Sequence, residues 1–318
     1  MVVPSSPPPH APLRPPRHCN QAQVGVCIAG QLRGSLRSGT LMRSIAQWRQ
    51  LGAGCVDFFL AAGLEGYSRN RNHKGCHGNT EAEANAALRM LQPKVWRIWN
   101  GQAVLTQSPF LHNQDAHNLT VWTGQCRKPA DWTTNSVMCG AAEDGYTIND
   151  CRHPNCTHCD STGSHMSYQW PQQRLHICLA DLIGHEVRQT ASYRFVVYHR
   201  PDFRVRPLPS FSRWPELFEQ PPSTAHFCRV CKQPYLRCAI DYFILAPRAV
   251  LPVLQLLWAA YGECHSRKLL TALGLPGYTD RWPWYWAAEG TMYATFARNR
   301  VFAASMPNHT CELDRSCP

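Results

Sequence analysis

Two short segments of this sequence carry the residue types that phosphate and metal chemistry require. In the first, YRFVVYHRPDFRV (residues 193–205), an apolar run leads into Arg200, Pro201 and Asp202. The planar guanidinium of Arg200 could bind a carboxylate or a diphosphate through two parallel hydrogen bonds. Asp202 could give a carboxylate oxygen to a hard cation such as Mn²⁺ or Mg²⁺. The same two side chains could instead form a structural salt bridge, and the residue types leave both interpretations open.

The second segment, AGQLRG (residues 29–34), also follows an apolar run. Gly30, Gln31 and Arg33 would lie where a phosphate or sugar meets the N-terminus of the following helix. The segment lacks the G-x-G-x-x-G pattern, and no acidic residue follows at the distance that would hold a ribose, so the dinucleotide fingerprint is absent. The alternative is an ordinary tight turn with an exposed arginine.

Two acidic residues late in the chain are candidates for a general base, since a positioned carboxylate can accept a proton from a reacting group. Glu289, in WAAEGTMY, is one of them, and it follows the aromatic segment 282–286, on which a sugar ring could stack or which could simply pack. Asp241 is the other late acid. It begins a predicted strand, away from the expected ligand edge, which favours a role in a turn or a helix cap.

Alternating strands and helices are predicted to position these residues. The first half of the chain predicts strands at residues 24–30, 55–63 and 94–100, separated by helices at about 38–50 and 80–93. Strands connected by helices indicate a parallel sheet. The fold class predicted is therefore α/β, with a mostly parallel, Rossmann-like sheet flanked by helices.

The second half continues the pattern after an interruption. A long helix is predicted from about residue 168 to 189, then the strand of residues 193–199, which is apolar throughout and so buried on both faces. We expect a disordered proline-rich tail at residues 1–20 and a single domain at 21–306. A cysteine-rich irregular insertion is expected at 101–167 and a C-terminal tail at 307–318.

The cysteines indicate an oxidising environment. The chain has 16 cysteines and N-glycosylation sequons at Asn118, Asn155 and Asn308, which together favour disulfides and a Golgi or ER lumen or a secreted location. A zinc site is the competing interpretation, because C-x-x-C pairs occur at residues 156–159 and 228–231. The 68 intervening residues exceed the spacing of common zinc modules.

Charge and hydropathy argue against a nucleic-acid-binding protein and against a membrane-spanning segment in this chain. The formal net charge is +11, mostly from arginines scattered along the chain, and no concentrated basic segment suggests a nucleic-acid partner. There is no run of 18 apolar residues, and the proline-rich start is neither a signal peptide nor a membrane anchor. We expect that the natural N-terminus lies upstream of this chain.

Three segments, VCIAGQLRG, YRFVVYHRPDF and IDYFILAPR followed by a helix, carry a resemblance. Over residues 24–300 the chain resembles a poorly characterised family of predicted glycosyltransferases with a GT-A-like, nucleotide-diphospho-sugar transferase fold. The resemblance implies an Asp-x-Asp corner that holds a divalent cation, Mn²⁺ or Mg²⁺, against the donor diphosphate, and Asp202 takes the second acidic position. Arg200 replaces the first acid, so arginines could neutralise the diphosphate instead.

The resemblance implies sugar transfer from a nucleotide-diphosphate donor to a glycan or glycoprotein acceptor in the secretory pathway. In that scheme Arg33 and Arg200 contact the diphosphate, Asp202 contacts a metal or the ribose, and Glu289 is the base. Two alternatives remain open at this point. One is a secreted carbohydrate-binding module without turnover, and the other is an intracellular interaction protein stabilised by zinc.

Overall fold

A computed structural model describes the chain at residues 23–32, 34–51, 55–64, 79–100, 103–106, 163–206, 208, 211, 214–218, 223–228, 230–231, 238–239, 243–262, 288–306 and 310–313. The strands are β1 Val24–Gln31, β2 Val56–Gly63, β3 Val95–Asn100, β4 Ala103–Thr106, β5 Phe195–His199, β6 Phe203–Arg206, β7 Thr224–Phe227, β8 Val230–Cys231, β9 Cys238–Ala239, β10 Phe243–Pro247, β11 Phe302–Ser305 and β12 Thr310–Leu313. The helices are α1 Thr40–Leu51, α2 Glu81–Leu91, α3 Gly163–Gln189, α4 Trp214–Phe218, α5 Leu251–Gly262 and α6 Ala288–Arg298, with a 3₁₀ turn at Arg248–Val250 before α5.

The main sheet has eight strands in the order β11-β7-β10-β5-β1-β2-β3-β4. Strands β5, β1, β2 and β3 run parallel to their neighbours in this group, and β11 runs parallel to β7. The predicted α/β class with a mostly parallel sheet is confirmed at this level. Strands β10 and β4 are antiparallel to their neighbours, so the sheet is mixed.

Two predicted boundaries differ from the structure. The region 101–167, expected to be irregular, contains β4 and the first residues of α3; only Gly101 and Gln102 separate β3 from β4, and so short a connection produces an antiparallel pair. The expected tail at 307–318 contains β12, which pairs with β6. The remaining cysteine-rich segment and residues 1–20 lie outside the described residues.

The sheet buries a separate apolar cluster on each face. Alternate residues of β1 illustrate this division, because Cys27 packs towards α3, α5 and α6 whereas Ile28 packs towards α1, α2 and α4. On the first face α3 contributes Leu175, Leu179 and Leu182, all at most 1% exposed. The predicted burial of β5 on both faces is confirmed, since all five of its residues are buried.

Covalent and ionic contacts attach α3 to the sheet. A disulfide joins Cys27 of β1 to Cys178 of α3 across 151 positions of sequence, and both cysteines are buried. Arg97 of β3 and Asp181 of α3 form a buried two-point ion pair, with Nε and Nη2 donating to the carboxylate at 2.9 and 3.2 Å. These contacts hold α3 against the centre of the sheet.

The predicted use of cysteines in disulfides is confirmed for four of the cysteines that the structure describes, including Cys27 and Cys178. Cys55 and Cys228 are also disulfide-bonded. Cys228 belongs to one of the C-x-x-C pairs considered for zinc, and a sulfur in a disulfide has no thiolate to donate to a metal. Among the described residues no helix combines the length and apolar character that crossing a bilayer requires.

Candidate functional site

The order in which the chain adds strands to the sheet changes side at β1. From β1 it continues through β2 to β3 on one side and then returns to place β5 on the other side. In open α/β sheets such a switch point leaves a crevice beyond the carboxyl ends of the two diverging strands, and ligands bind there. The crevice here lies between the residues that follow β1 and those that follow β5.

Both segments singled out from the sequence meet at this crevice. We call residues 30–39 the β1 corner and residues 200–202 the β5 corner. Because Ile28 of β1 is level with His199 of β5, both corners lie at the same edge of the sheet. Gly30 has φ +139°, and a Cβ atom there would lie 3.3 Å from Cδ of Pro201 and 3.8 Å from Cγ of Arg200. Gly30 is therefore suited both to its backbone conformation and to the close approach of the β5 corner.

The acid in the β5 corner binds its neighbouring arginine. Arg200 Nε donates to Asp202 Oδ1 at 3.0 Å, and Arg200 Nη2 donates to Asp202 Oδ2 at 2.8 Å. The side chain of Asp202 is 1% exposed and that of Arg200 is 11% exposed. A backbone turn, in which Phe203 N donates to Arg200 O at 3.2 Å, brings the two side chains together. Asp202 thus fixes the orientation of the guanidinium and offsets its charge.

This arrangement does not fit a divalent cation at Asp202. Both carboxylate oxygens already accept hydrogen bonds from a cationic group, and a metal ion would have to displace it. The described residues also contain no cluster of three or more His, Cys, Asp or Glu side chains that could hold a metal. The role of Asp202 as metal ligand stays a prediction that the geometry does not favour.

His199 lies directly before the β5 corner and was not singled out from the sequence. Its ring is 2% exposed and packs edge-on against Phe203 and Phe243. Burial lowers the pKa of His199 to about 4, against the smaller opposing effects of a backbone hydrogen bond at Arg200 and the charge of Asp202. His199 is therefore neutral at pH 7, and Arg200 is the cation of this corner.

Helices α1 and α2 support the two corners from one side. Ser44 of α1 donates from Oγ to the backbone oxygen of Phe203 at 3.2 Å, which ties α1 to the strand after the β5 corner. Arg37 of the β1 corner binds Glu83 in the first turn of α2, with Nε 2.7 Å from Oε1. The hydrogen bond from Arg37, followed by that from the Thr80 backbone, lowers the pKa of Glu83 to about 2.

The predicted α2 start is confirmed in detail. The Thr80 side chain accepts from the Glu83 backbone, and the Glu83 side chain accepts from the Thr80 backbone, which forms a capping box. The Glu83 carboxylate therefore accepts a hydrogen bond from the backbone at the start of α2 and also binds Arg37. The N-terminal end of α2 and the β1 corner are therefore held together at the same edge as the crevice.

Of the remaining predicted site residues, the structure describes some and leaves others outside the described residues. Gln31 ends β1, level with Gly63 of β2, so it lies at the crevice edge. Arg33 and Asp241 lie outside the described residues. Glu289 is in the first turn of α6, and a short connection joins the far end of this helix to the start of β11. The side chain of Glu289 lies outside the described residues, so its role as a base stays a prediction.

Sequence patterns could have indicated some of what was missed. Ser44 is buried on the apolar side of α1 beside Leu41, Ile45 and Trp48, and its position in that helical repeat marks it as inward-facing. No local pattern distinguishes His199, because a histidine at the end of an apolar strand is as compatible with solvent as with a buried site. No protein-family model and no curated protein matches the sequence of this chain.

Proposed function

We propose that this protein is a glycosyltransferase that binds a nucleotide-diphosphate sugar at the crevice between β1 and β5. The observation that carries the proposal is the meeting of the β1 and β5 corners at the topological switch point. An arginine fixed at such an edge is suited to an anionic group of a ligand, because its guanidinium binds phosphate oxygens in pairs. The resemblance over residues 24–300 supplies the class of donor.

Arg200 carries the main electrostatic role in this proposal. Departure of the nucleotide diphosphate from the sugar leaves negative charge on the bridging oxygen, and a cation already oriented in a largely buried site stabilises that charge without reorganising. Asp202 keeps the guanidinium in place and is a positioning residue. The donor diphosphate binds beside this pair, with Gly30 and Gln31 on the opposite side of the crevice, and the sequence adds Arg33 as a further contact.

The acceptor side of the proposal rests on Glu289. The hydroxyl of a glycan or glycoprotein acceptor must lose a proton as it attacks the anomeric carbon, and a carboxylate at the same sheet edge is suited to accept it. Glu289 is assigned this role from the sequence, because it is a late acidic residue that follows an aromatic segment, and it stands near the start of α6. The disulfides of the described residues are consistent with the proposed location in an ER or Golgi lumen or outside the cell.

Ligand-dependent thermal stabilisation provides the first test. UDP, GDP, CMP and UMP would each be added, with and without Mn²⁺, to the wild type and to Arg200→Lys, which keeps the charge but loses the two-point fork. A nucleotide diphosphate present at 100 times its Kd should stabilise the wild type by about 2.7 kcal/mol, which raises Tm by about 5 °C or more. Arg200→Lys should respond much less.

The matched control is Arg194→Lys, a change of the same kind at an exposed position on the opposite edge, and it should respond as the wild type does. The proposed binding mode predicts stabilisation without Mn²⁺. A strict requirement for Mn²⁺ would instead assign Asp202 as a metal ligand. If no nucleotide raises Tm, while a neutral oligosaccharide does, the protein is a carbohydrate-binding module and the transferase proposal fails.

A further inference from the structure

Basic side chains line the edge of the sheet opposite the crevice, where the parallel strands begin. The strand registers place the first residues of β1, β2, β5, β7 and β11 in one row, together with the last residue of β10. Helices α1, α2, α3 and α6 end at this same edge, because each runs back from the crevice edge towards it. Eight arginine and lysine residues of the described part of the chain lie at these strand and helix ends: Arg49, Arg89, Lys94, Arg188, Arg194, Arg248, Arg298 and Arg300. We call this set the basic rim.

Few acids balance the basic rim. Two carboxylates of the described residues, Asp57 and Glu186, form ion pairs with the rim at this edge. Asp57 lies 3.3 Å from Nζ of Lys94, and Glu186 binds Arg248 at 2.7 Å. The basic rim therefore carries a clear excess of positive charge. Seven of its eight members are exposed, and the side chain of Arg248 is 32% exposed.

Helix stabilisation accounts for part of this pattern but not for all of it. Arg49, Arg89, Arg188 and Arg298 stand in the last turns of their helices, where a cation interacts favourably with the helix dipole. Arg194 precedes β5 and Arg300 follows the end of α6, so neither belongs to a helix. The additional positions extend the positive charge along the strand starts, between and beyond the helix ends.

Two sets of contacts bring neighbouring parts of the rim together. Arg49 donates to the backbone oxygen atoms of Met90 and Leu91 at 2.7 and 3.0 Å, which brings the ends of α1 and α2 together. Arg248 N donates to Arg194 O at 3.0 Å, which places those two residues side by side. From β3 to β11 the rim crosses six strand spacings, about 30 Å at roughly 4.8 Å each.

We propose that the basic rim binds an acidic polysaccharide, a chain bearing sulfate or carboxylate groups, at a site separate from the crevice. Arginine dominates the rim, and its guanidinium binds sulfate and carboxylate oxygens in pairs. The charges are spread along one edge of the sheet, at helix ends on both of its faces and at the strand starts between them, so a long polyanion lying along this edge can contact several of them. Nucleic acid is less suited, because no described helix presents basic residues along its length for a groove.

Binding of a fluorescent heparin oligosaccharide, followed by anisotropy over a series of salt concentrations, tests this proposal. The test variant is Arg194→Gln/Arg300→Gln, which removes two charges outside the helices, one before β5 and one after the end of α6. Its matched control is Arg43→Glu, which changes net charge by the same amount from an exposed position in the first turn of α1, at the crevice edge. Far-UV circular dichroism and urea unfolding would verify that both variants are folded.

The wild type should bind the oligosaccharide, and the plot of log affinity against log salt should be steep. The double variant should bind about tenfold more weakly at moderate salt and show a slope smaller by about 2, since two fewer counterion-releasing contacts form. Arg43→Glu should bind almost as the wild type does. Equal loss in both variants would overturn the proposal, because binding would then follow net charge alone.

Two further outcomes would also overturn it. Equal or tighter binding of duplex DNA of the same charge, lost in the double variant, would assign the rim to nucleic acid. Co-sedimentation with vesicles that contain phosphatidylserine, without binding of the free oligosaccharide, would assign it to a membrane surface. That surface would engage the apolar side chains exposed at the same edge, Met90, Val187 and Phe302.

Discussion

The neutral state of His199 should make the acid stability of the protein depend in part on this ring. Burial lowers its pKa to about 4 in the folded protein, whereas an unfolded histidine titrates near 6.5. Below pH 6.5 the unfolded chain therefore binds a proton that the folded protein does not bind until about pH 4. The contribution of His199 to stability is complete above pH 7, falls as pH decreases from about 6.5, and levels off below about pH 4.

The magnitude follows from the difference between the two pKa values. At 1.36 kcal/mol per pKa unit the full loss is about 3 kcal/mol, and most of it, roughly 2 to 3 kcal/mol, occurs between pH 7 and pH 4.5. His199→Asn removes the titrating group but introduces a fixed packing cost. Because that cost is present at both pH values, it cancels when the pH dependence of the two proteins is compared.

Urea unfolding at pH 7 and pH 4.5 measures the effect for the wild type and for His199→Asn. The wild type should lose roughly 2 to 3 kcal/mol more than the variant over this interval. His176→Asn is the comparison variant, because burial also lowers the pKa of His176 but its ring is only partly buried. Equal losses in the wild type and His199→Asn would show that the ring takes up a proton in the folded protein, and the assignment of Arg200 as the only cation of the corner would be withdrawn.

Three other perturbations test the packing around α3. Replacing Cys27 and Cys178 together by alanine should cost several kcal/mol in urea unfolding, with about 5 kcal/mol as the chain-entropy limit for so long a loop, and a cost below about 1 kcal/mol would contradict this. Asp181→Asn should lower the unfolding free energy by about 3 to 5 kcal/mol, because it leaves the buried charge of Arg97 without the Asp181 carboxylate. The double variant Arg97→Met/Asp181→Leu, which removes both charges, should cost much less. Similar unfolding free energies for the two variants would show that the charge is not the cause. Gly25→Ala would place a Cβ atom 2.6 Å from Cδ1 of Leu182 and should lower stability by about 1 to 3 kcal/mol in thermal unfolding, while an unchanged Tm would mean that Leu182 moves aside without cost.

Much of the fold could be predicted from local patterns. The runs that became β1, β2, β3 and β5 were recognisable because strands buried on both faces are mostly apolar, even though β2 contains Asp57 and β3 contains Arg97. The start of α2 was recognisable from Thr80 and its first-turn acids, since capping depends on residues only three positions apart. Strand β10 was predicted as a strand, but its antiparallel direction was not, and neither β4 nor β12 was predicted, because strand pairing depends on distant partners rather than on a strand's own composition.

For the candidate site, too, the sequence predicted the position of the residues but not their contacts. Residue order and periodicity were enough to place Gly30 and Asp202 at one edge of a sheet, because the carboxyl ends of parallel strands share an edge. The sequence could not predict whether the Asp202 carboxylate binds a metal ion or the Arg200 guanidinium. The outcome depends on a turn that brings two side chains into a two-point contact and on burial that excludes water, and both arise only when distant segments pack around the corner.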